Sequence, residues 1–475
     1  MVTKIMNKQI IYPSIDLFIY DLKDGLGEDE TKVNKNCENF CQKIYNDLNE
    51  KEFPQKVAQF KKYKNFDAED IELLESRTRD FPSPLDGYYY PLQVNDTYSL
   101  LVDYSGKLDA NGKPNDDVQN IDDQPFLKLT KEINQLIGEQ PGTIGQTLLS
   151  WGKLTSPKTD LEIEEIAQKC YTQVVNDYNW QRDLIGEGNL GEGKIFEIWY
   201  HPQNLEVEGK EFWNKFRQLN QHILIWLFPD HVSPDEMREQ VQKLHQDFLK
   251  LWQYRHKIVW AYYQSRYQKR ILKQEYVDVQ PAIQKAGQLT RLLQTNNLKL
   301  NDLQATLTNN LINLSDYTIA LNFLENHSRT IKLNLYNYKL RLVEIAKKYP
   351  GSDLEVLKRF SESEIYAQKY QLQVDADYEN LSPGLILLQN LNSTIQGIID
   401  LEQTKSDRTL NTTIAIAGVG LATSQIASAV ILASPNDYKN TEHLPFRVEV
   451  FGWSVSIGIV SAIVMFFIFR LIRRF

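Results

Sequence analysis

The chain has 475 residues, 62 acidic and 53 basic side chains, and a formal net charge of −9. At roughly 150 residues per domain this length predicts about three structural units. The acidic balance excludes the broadly basic face of a nucleic-acid protein, so no nucleic-acid partner is expected. Three cysteines are too few for a disulfide framework.

Residues 1–18 lack the apolar run and small-residue cleavage pattern of a signal peptide, so no leader is expected to be removed and the large N-terminal portion is expected to be cytosolic. Residues 1–230 mix strand and helix signals. Strand-type runs stand at 15–22 (IDLFIYDL), 98–104 (YSLLVDY), 194–200 (KIFEIWY) and 222–228 (HILIWLF). Residues 209–219, between the last two, are apolar at helical spacing, which predicts a βαβ-type unit. Helical periods cover 33–48, 67–77 and 160–178. Cys37 and Cys41 lie four apart in the first of these, with no Cys or His nearby, and read as buried reduced thiols rather than a metal pair. The whole reads as a cytosolic α/β domain with a mostly buried sheet.

After residue 230 the texture becomes helical. Ser233, Pro234 and Glu236 make a helix start: Ser caps, Pro fits the first turn, and Glu stands three after the cap. The stretch that follows is weakened at Pro281, and its aromatic segment 251–267 reads as a packing face against the α/β domain or another subunit. A second long helix is predicted from about 301 to 349, ending at Pro350-Gly351. Ser352 and Glu355 open another, to about 380, and Ser382-Pro383 opens the last. No proline follows Pro383 before Pro435, which predicts a stalk helix running from 385 to 432.

Residues 412–432 and 450–469 contain no Asp, Glu, Lys or Arg. Each is long enough to cross a hydrocarbon core of about 30 Å. Lys405, Arg408, Arg470, Arg473 and Arg474 flank them on one side, against Lys439 and Arg447 in the connecting loop, which predicts cytoplasmic N- and C-termini. The expected fold class is therefore an α+β/α membrane protein. It has an N-terminal α/β domain (1–230), a long-helix or coiled-coil stalk region (231–410) and a C-terminal two-helix transmembrane hairpin (411–475) in a lipid bilayer.

Few motifs carry chemistry. Gly186, Gly188 and Gly191 match GxGxxG, but a strand follows rather than a helix, so a glycine-rich hairpin is expected instead of a dinucleotide loop. The seven histidines show no zinc spacing. Asp109-Ala-Asn111-Gly112 reads as a tight turn rather than a calcium loop. Asp116, Asp117, Asp122 and Asp123 form an acidic cluster that reads as a solvated loop. No nucleophile–base arrangement is readable, so no enzyme is expected. In 412–432, Thr413, Ala417, Gly420, Ser424 and Ser428 fall on one helical face of small or hydroxyl-bearing side chains. Such a face either packs helices closely or lines a pore in a ring of subunits.

This order of parts resembles the CorA-type family of two-span divalent-cation transporters: a cytosolic α/β domain, long helices, a stalk that becomes the first span, a short loop and a basic tail. Ala433-Ser434-Pro435-Asn436 stands where that family carries Gly-Met-Asn. The resemblance implies a homo-oligomer, a pentamer in that family, and divalent cations such as magnesium as cargo; no resident cofactor is expected. Asp437, Glu442 and Glu449 would concentrate cations at the outer mouth. The other expected function is a membrane-anchored sensor or effector, whose hairpin only tethers and oligomerises a domain that binds a ligand or partner.

Overall fold

The computed structural model describes residues 9–62, 70–175, 178–200, 220–292, 300–362 and 365–406. Two compact units are distinguished, one of residues 1–272 with 319–382, the other of 273–318 with 383–475.

The first unit is built on a mixed sheet, ten-stranded among the described residues. In chain order its strands are β1 (Gln9–Leu22), β2 (Asp70–Glu72), β3 (Arg79–Asp80), β4 (Leu85–Val94), β5 (Thr97–Lys107), β6 (Val118–Asn120), β7 (Gly145–Leu154), β8 (Leu184–Leu190), β9 (Gly193–Tyr200) and β10 (Gln221–Phe228). They lie in the order β2-β4-β5-β1-β7-β10-β9-β8, with β3 beside β4 and β6 beside β1. Every neighbouring pair is antiparallel except β7 with β10. The helices are α1 (Glu30–Ile44), α2 (Phe53–Lys61), α3 (Pro125–Leu136), α4 (Asp160–Val174), α5 (Trp180–Asp183), α6 (Pro234–Leu292), α7 (Leu300–Lys348), α8 (Glu355–Glu362) and α9 (Ala367–Ser406).

Strand periodicity sorts the side chains onto two faces. Ile15, Leu17 and Ile19 of β1, Leu100 and Val102 of β5, and Ile223 and Ile225 of β10 share one face. They pack with Phe40 and Cys41 of α1, Phe126 and Ile133 of α3, and Ile166 and Cys170 of α4. Each Ile or Phe fully buried there contributes about 1.5–3 kcal/mol relative to exposure. The other face carries Asp16, Thr147, Glu197 and His222, all buried, and α6 crosses it. The capping box expected at the start of α6 is formed: Glu236 N–H donates to Ser233 Oγ, and the Glu236 carboxylate accepts from Ser233 N–H.

Several expectations are corrected. The runs at 194–200 and 222–228 are strands, but β9 and β10 are antiparallel neighbours, Ile198 opposite Ile223. Apolar periodicity marks a strand and says nothing of its direction, and antiparallel neighbours need no crossover helix. The helix expected at 209–219 lies outside the described residues. Within 67–77, Asp70–Glu72 is an edge strand on β4. Pro281 and Pro383 sit inside helices. Ser382 does not cap; its Oγ donates back to the Glu379 carbonyl, the local bond a Ser makes within a continuing helix.

The membrane class is corrected as well. No helix among the described residues is long and apolar enough to cross a membrane. What they form is a mixed-sheet unit with long helices, and α6 and α7 carry charged residues along their length, so neither offers an uncharged run of about 20 residues. The segments 412–432 and 450–469 lie outside the described residues, as does the stalk beyond Ser406. The transmembrane hairpin, the integral-membrane placement with cytoplasmic termini, and ion transport are not carried forward.

Candidate functional site

In the first unit, the turn after β1, the start of α1, Thr143 before β7, and parts of α6 and α7 line an open cleft of about 490 Å³. Helical spacing explains its walls. Glu28, Lys32 and Asn36 repeat at every fourth residue, as do Trp260, Gln264 and Gln268 on α6, while Asn326 and His327 follow Phe323 by three and four on α7. The rim is preorganised: the Glu28 carboxylate accepts from Gly25 N–H and Asn36 Nδ2, each at 3.0 Å. Thr143 Oγ1 accepts from Leu22 N–H. Trp260 meets the His327 ring edge to face at 5.6 Å, and Lys257 Nζ stands 5.0 Å from the indole centroid. Burial, and next the Lys257 charge, push the His327 imidazole down to about 4, so it is neutral at pH 7. Its Nδ1 has no hydrogen-bond partner among the described residues. The amides of Gln264, Gln268 and Asn326 line the cavity without a side-chain hydrogen bond among the described residues.

The sheet face beneath α6 holds a second set of groups. Tyr88 OH lies 2.7 Å from His245 Nδ1, and His245 Nε2 lies 3.0 Å from Asp16 Oδ2. Trp151 Nε1–H donates to Asp16 Oδ1 at 3.0 Å. Asp103 is opposite Asp16 in the β1–β5 register. Burial, and next the Asp16 charge, hold the Asp103 carboxyl well above the usual carboxylate range. Further along, Thr147 Oγ1 is 2.8 Å from both His222 Nδ1 and His256 Nε2. His222 Nε2 is 3.1 Å from Glu197 Oε1. Burial keeps both imidazoles well below their ordinary value and pushes Glu197 up to about 7. Arg255 is fully buried against Trp199 and Phe360, 4.3 and 4.8 Å from their centroids, with its Nε 3.8 Å from Glu197.

Thr413, Ala417, Gly420, Ser424, Ser428, Asp437, Glu442 and Glu449 lie outside the described residues. Cys37 and Cys41 are buried in the core, and burial pushes the Cys41 thiol up to about 12, which makes it inert. Gly186, Gly188 and Gly191 belong to the β8–β9 hairpin, where Gly191 takes the left-handed conformation the turn needs. Asp109 closes its own turn by accepting from Asn111 and Lys113 N–H. In the acidic cluster, Asp116 pairs with Arg238 and Asp122 with Lys169. Sequence reasoning passed over Asp16 and Asp103; the signal was a carboxylate inside an apolar strand run, IDLF and LVDY.

No family model, no curated protein and no solved structure matches this chain.

Proposed function

We propose that the chain is a ligand-responsive sensor or effector whose sheet unit binds a small, planar, hydrogen-bonding molecule, with the chemistry of a nucleobase, in the cavity lined by Trp260 and Gln264. The observation that carries this is a cavity wall that brings Gln264, Gln268 and Asn326, whose amides have no side-chain hydrogen bond among the described residues, beside Trp260. A primary amide presents a donor and an acceptor side by side, which matches the alternating edge of a heteroaromatic base. The indole supplies a flat apolar face for stacking. The volume falls in the range of about 300–1,000 Å³ typical of small-molecule sites. The neutral His327 adds a polar group that carries no charge to repel or demand a counter-ion. Because separate elements supply the walls, an occupant ties the β1–α1 turn to α6 and α7. Ligand at a hundred times its Kd would stabilise that arrangement by about 2.7 kcal/mol.

The test is thermal denaturation and calorimetric titration of the full chain with adenine, guanine, cytosine, uracil and their nucleosides. One of these is expected to bind at a single site and raise the melting temperature. Gln264→Ala and Trp260→Ala should each weaken binding about tenfold or more, the loss of roughly one good contact. Leu340→Ala, exposed on α7, should bind as the unaltered chain does. If none of the ligands raises the melt at about 1 mM, or if both cavity variants bind normally, the reading fails.

A further inference from the structure

We propose that Asp16, Asp103 and His245 form a binding site for one divalent first-row transition-metal ion, of the class of Zn2+, Mn2+ and Co2+. One ligand atom from each residue lies within 4.8 Å of the other two, and all three residues are buried. The placement follows from the fold. Direct pairing of Asp16 with Asp103 in the β1–β5 register puts both carboxylates on one face, with Cβ atoms about 5 Å apart. α6 then lays His245 over them. The separation of 3.0 Å between His245 Nε2 and Asp16 Oδ2 is that of two adjacent ligands each about 2.1 Å from a single ion.

Two independent features point to an ion rather than to a hydrogen-bonded cluster alone. The outer groups hold the ligands by the atoms an ion would not use. Trp151 N–H occupies Asp16 Oδ1 and leaves Oδ2; Tyr88 OH occupies His245 Nδ1 and leaves Nε2. That is the outer shell a metal site needs to orient its carboxylate and imidazole. Nor does a basic side chain serve these carboxyls: among the described residues the sole ion-pair partner of Asp16 is His245, and Asp103 has none with Lys or Arg. A dication would neutralise two adjoining buried carboxylates. Mixed imidazole and carboxylate donors favour borderline ions over magnesium, which prefers oxygen alone. His245 and Tyr88 also line a second cavity, of about 320 Å³.

The test uses the full, tag-free chain, stripped with a chelator and titrated with Co2+ and with Zn2+. One equivalent of Co2+ should bind with a visible d–d absorption band, and Zn2+ should raise the melting temperature. Asp103→Asn and His245→Gln should each lose the band. Tyr88→Phe keeps every ligand and should weaken binding about 10–100-fold. Asp103→Asn removes one of two adjoining carboxylates, so its metal-free melt should be no lower than that of the unaltered chain, which separates loss of the ion from loss of the fold. Absence of saturable Co2+ uptake up to about 1 mM would overturn the proposal and leave two carboxyls sharing a proton. Uptake unchanged in Asp103→Asn and His245→Gln would overturn it equally.

Discussion

Replacing Glu197 by Gln reads directly on the polar layer beneath α6. Burial pushes this carboxyl up to about 7, the nearby Arg255 opposing the shift, while the same group in the unfolded chain titrates near 4.5. The folded pKa is raised, so between those values the folded state holds a proton that the unfolded state has released. Stability from this group is full below about pH 4.5 and is lost as the pH rises through 7. At 1.36 kcal/mol per pH unit the separation is worth about 3 kcal/mol once both states are ionised. Gln is neutral and nearly the same shape, and can still bond to His222 Nε2, so it does not incur that loss. His222 and His256 are held neutral by burial in both proteins, so their own loss of stability in acid cancels in the comparison. Urea unfolding at pH 5 and pH 8 measures the difference. Relative to the unaltered chain, Glu197→Gln should gain about 2.5 kcal/mol on going from pH 5 to pH 8. An offset that is the same at both pH values would refute the reasoning, because it would place the ionised carboxylate in a compensated site.

Lys43→Met should destabilise the fold by about 3–5 kcal/mol, since Lys43 Nζ lies 2.5 Å from Asp21 Oδ2 with both side chains buried, and the change strands the carboxylate. Adding Asp21→Asn to the same chain should restore most of the loss in urea unfolding; no recovery would show that packing, not charge, was removed. Gly87→Ala should destabilise the fold by about 2 kcal/mol or more and lower the melting temperature sharply, because the new Cβ would meet the Asp103 carbonyl oxygen at 2.1 Å at a φ of +148°. A normal melt would mean that the bulge between Asp86 and Gly87 relaxes freely. Thr159→Ala breaks the capping box with Glu162 at the start of α4 and should cost about 1 kcal/mol, with helix content otherwise retained by circular dichroism.

The sheet was legible in part: the expected runs fall in β1, β5, β9 and β10, while β4 and β7, ten residues each, drew no expectation. The alternation in IDLFIYDL places Ile15, Leu17 and Ile19 on the apolar face and leaves Asp16 and Tyr20 on the other. Strand direction was not legible, because β9 and β10 carry the same apolar pattern whether parallel or antiparallel. Prolines misled where context overrode propensity: Pro383 follows a Ser whose hydroxyl bonds back within the helix, so a sequence start signal lies within α9. The cavity walls were visible only in pieces. The four-residue repeats at 28–36 and 260–268 and the cluster at 323–327 are plain in the sequence, but only the chain path brings them to one place. Asp16, Asp103 and His245 are likewise distant in sequence, and nothing local pairs them. The expected membrane hairpin rested on hydropathy in segments that no described helix reaches.

The position of β1 has a consequence for how the chain is made. This strand sits between β5 and β7, so it is interior to the sheet although it is the first strand described. Leu17 is paired with Leu148, well over a hundred residues later. At a synthesis rate of about 5–20 residues per second, β7 leaves the ribosome on the order of ten seconds after β1. Neither edge of this apolar strand has a partner until β5 (Thr97–Lys107) is made, and the edge that β7 covers stays open until the end of that interval; an open edge of this kind invites pairing with another chain. The exposure of this edge to other chains therefore falls during translation, before residue 154 has emerged.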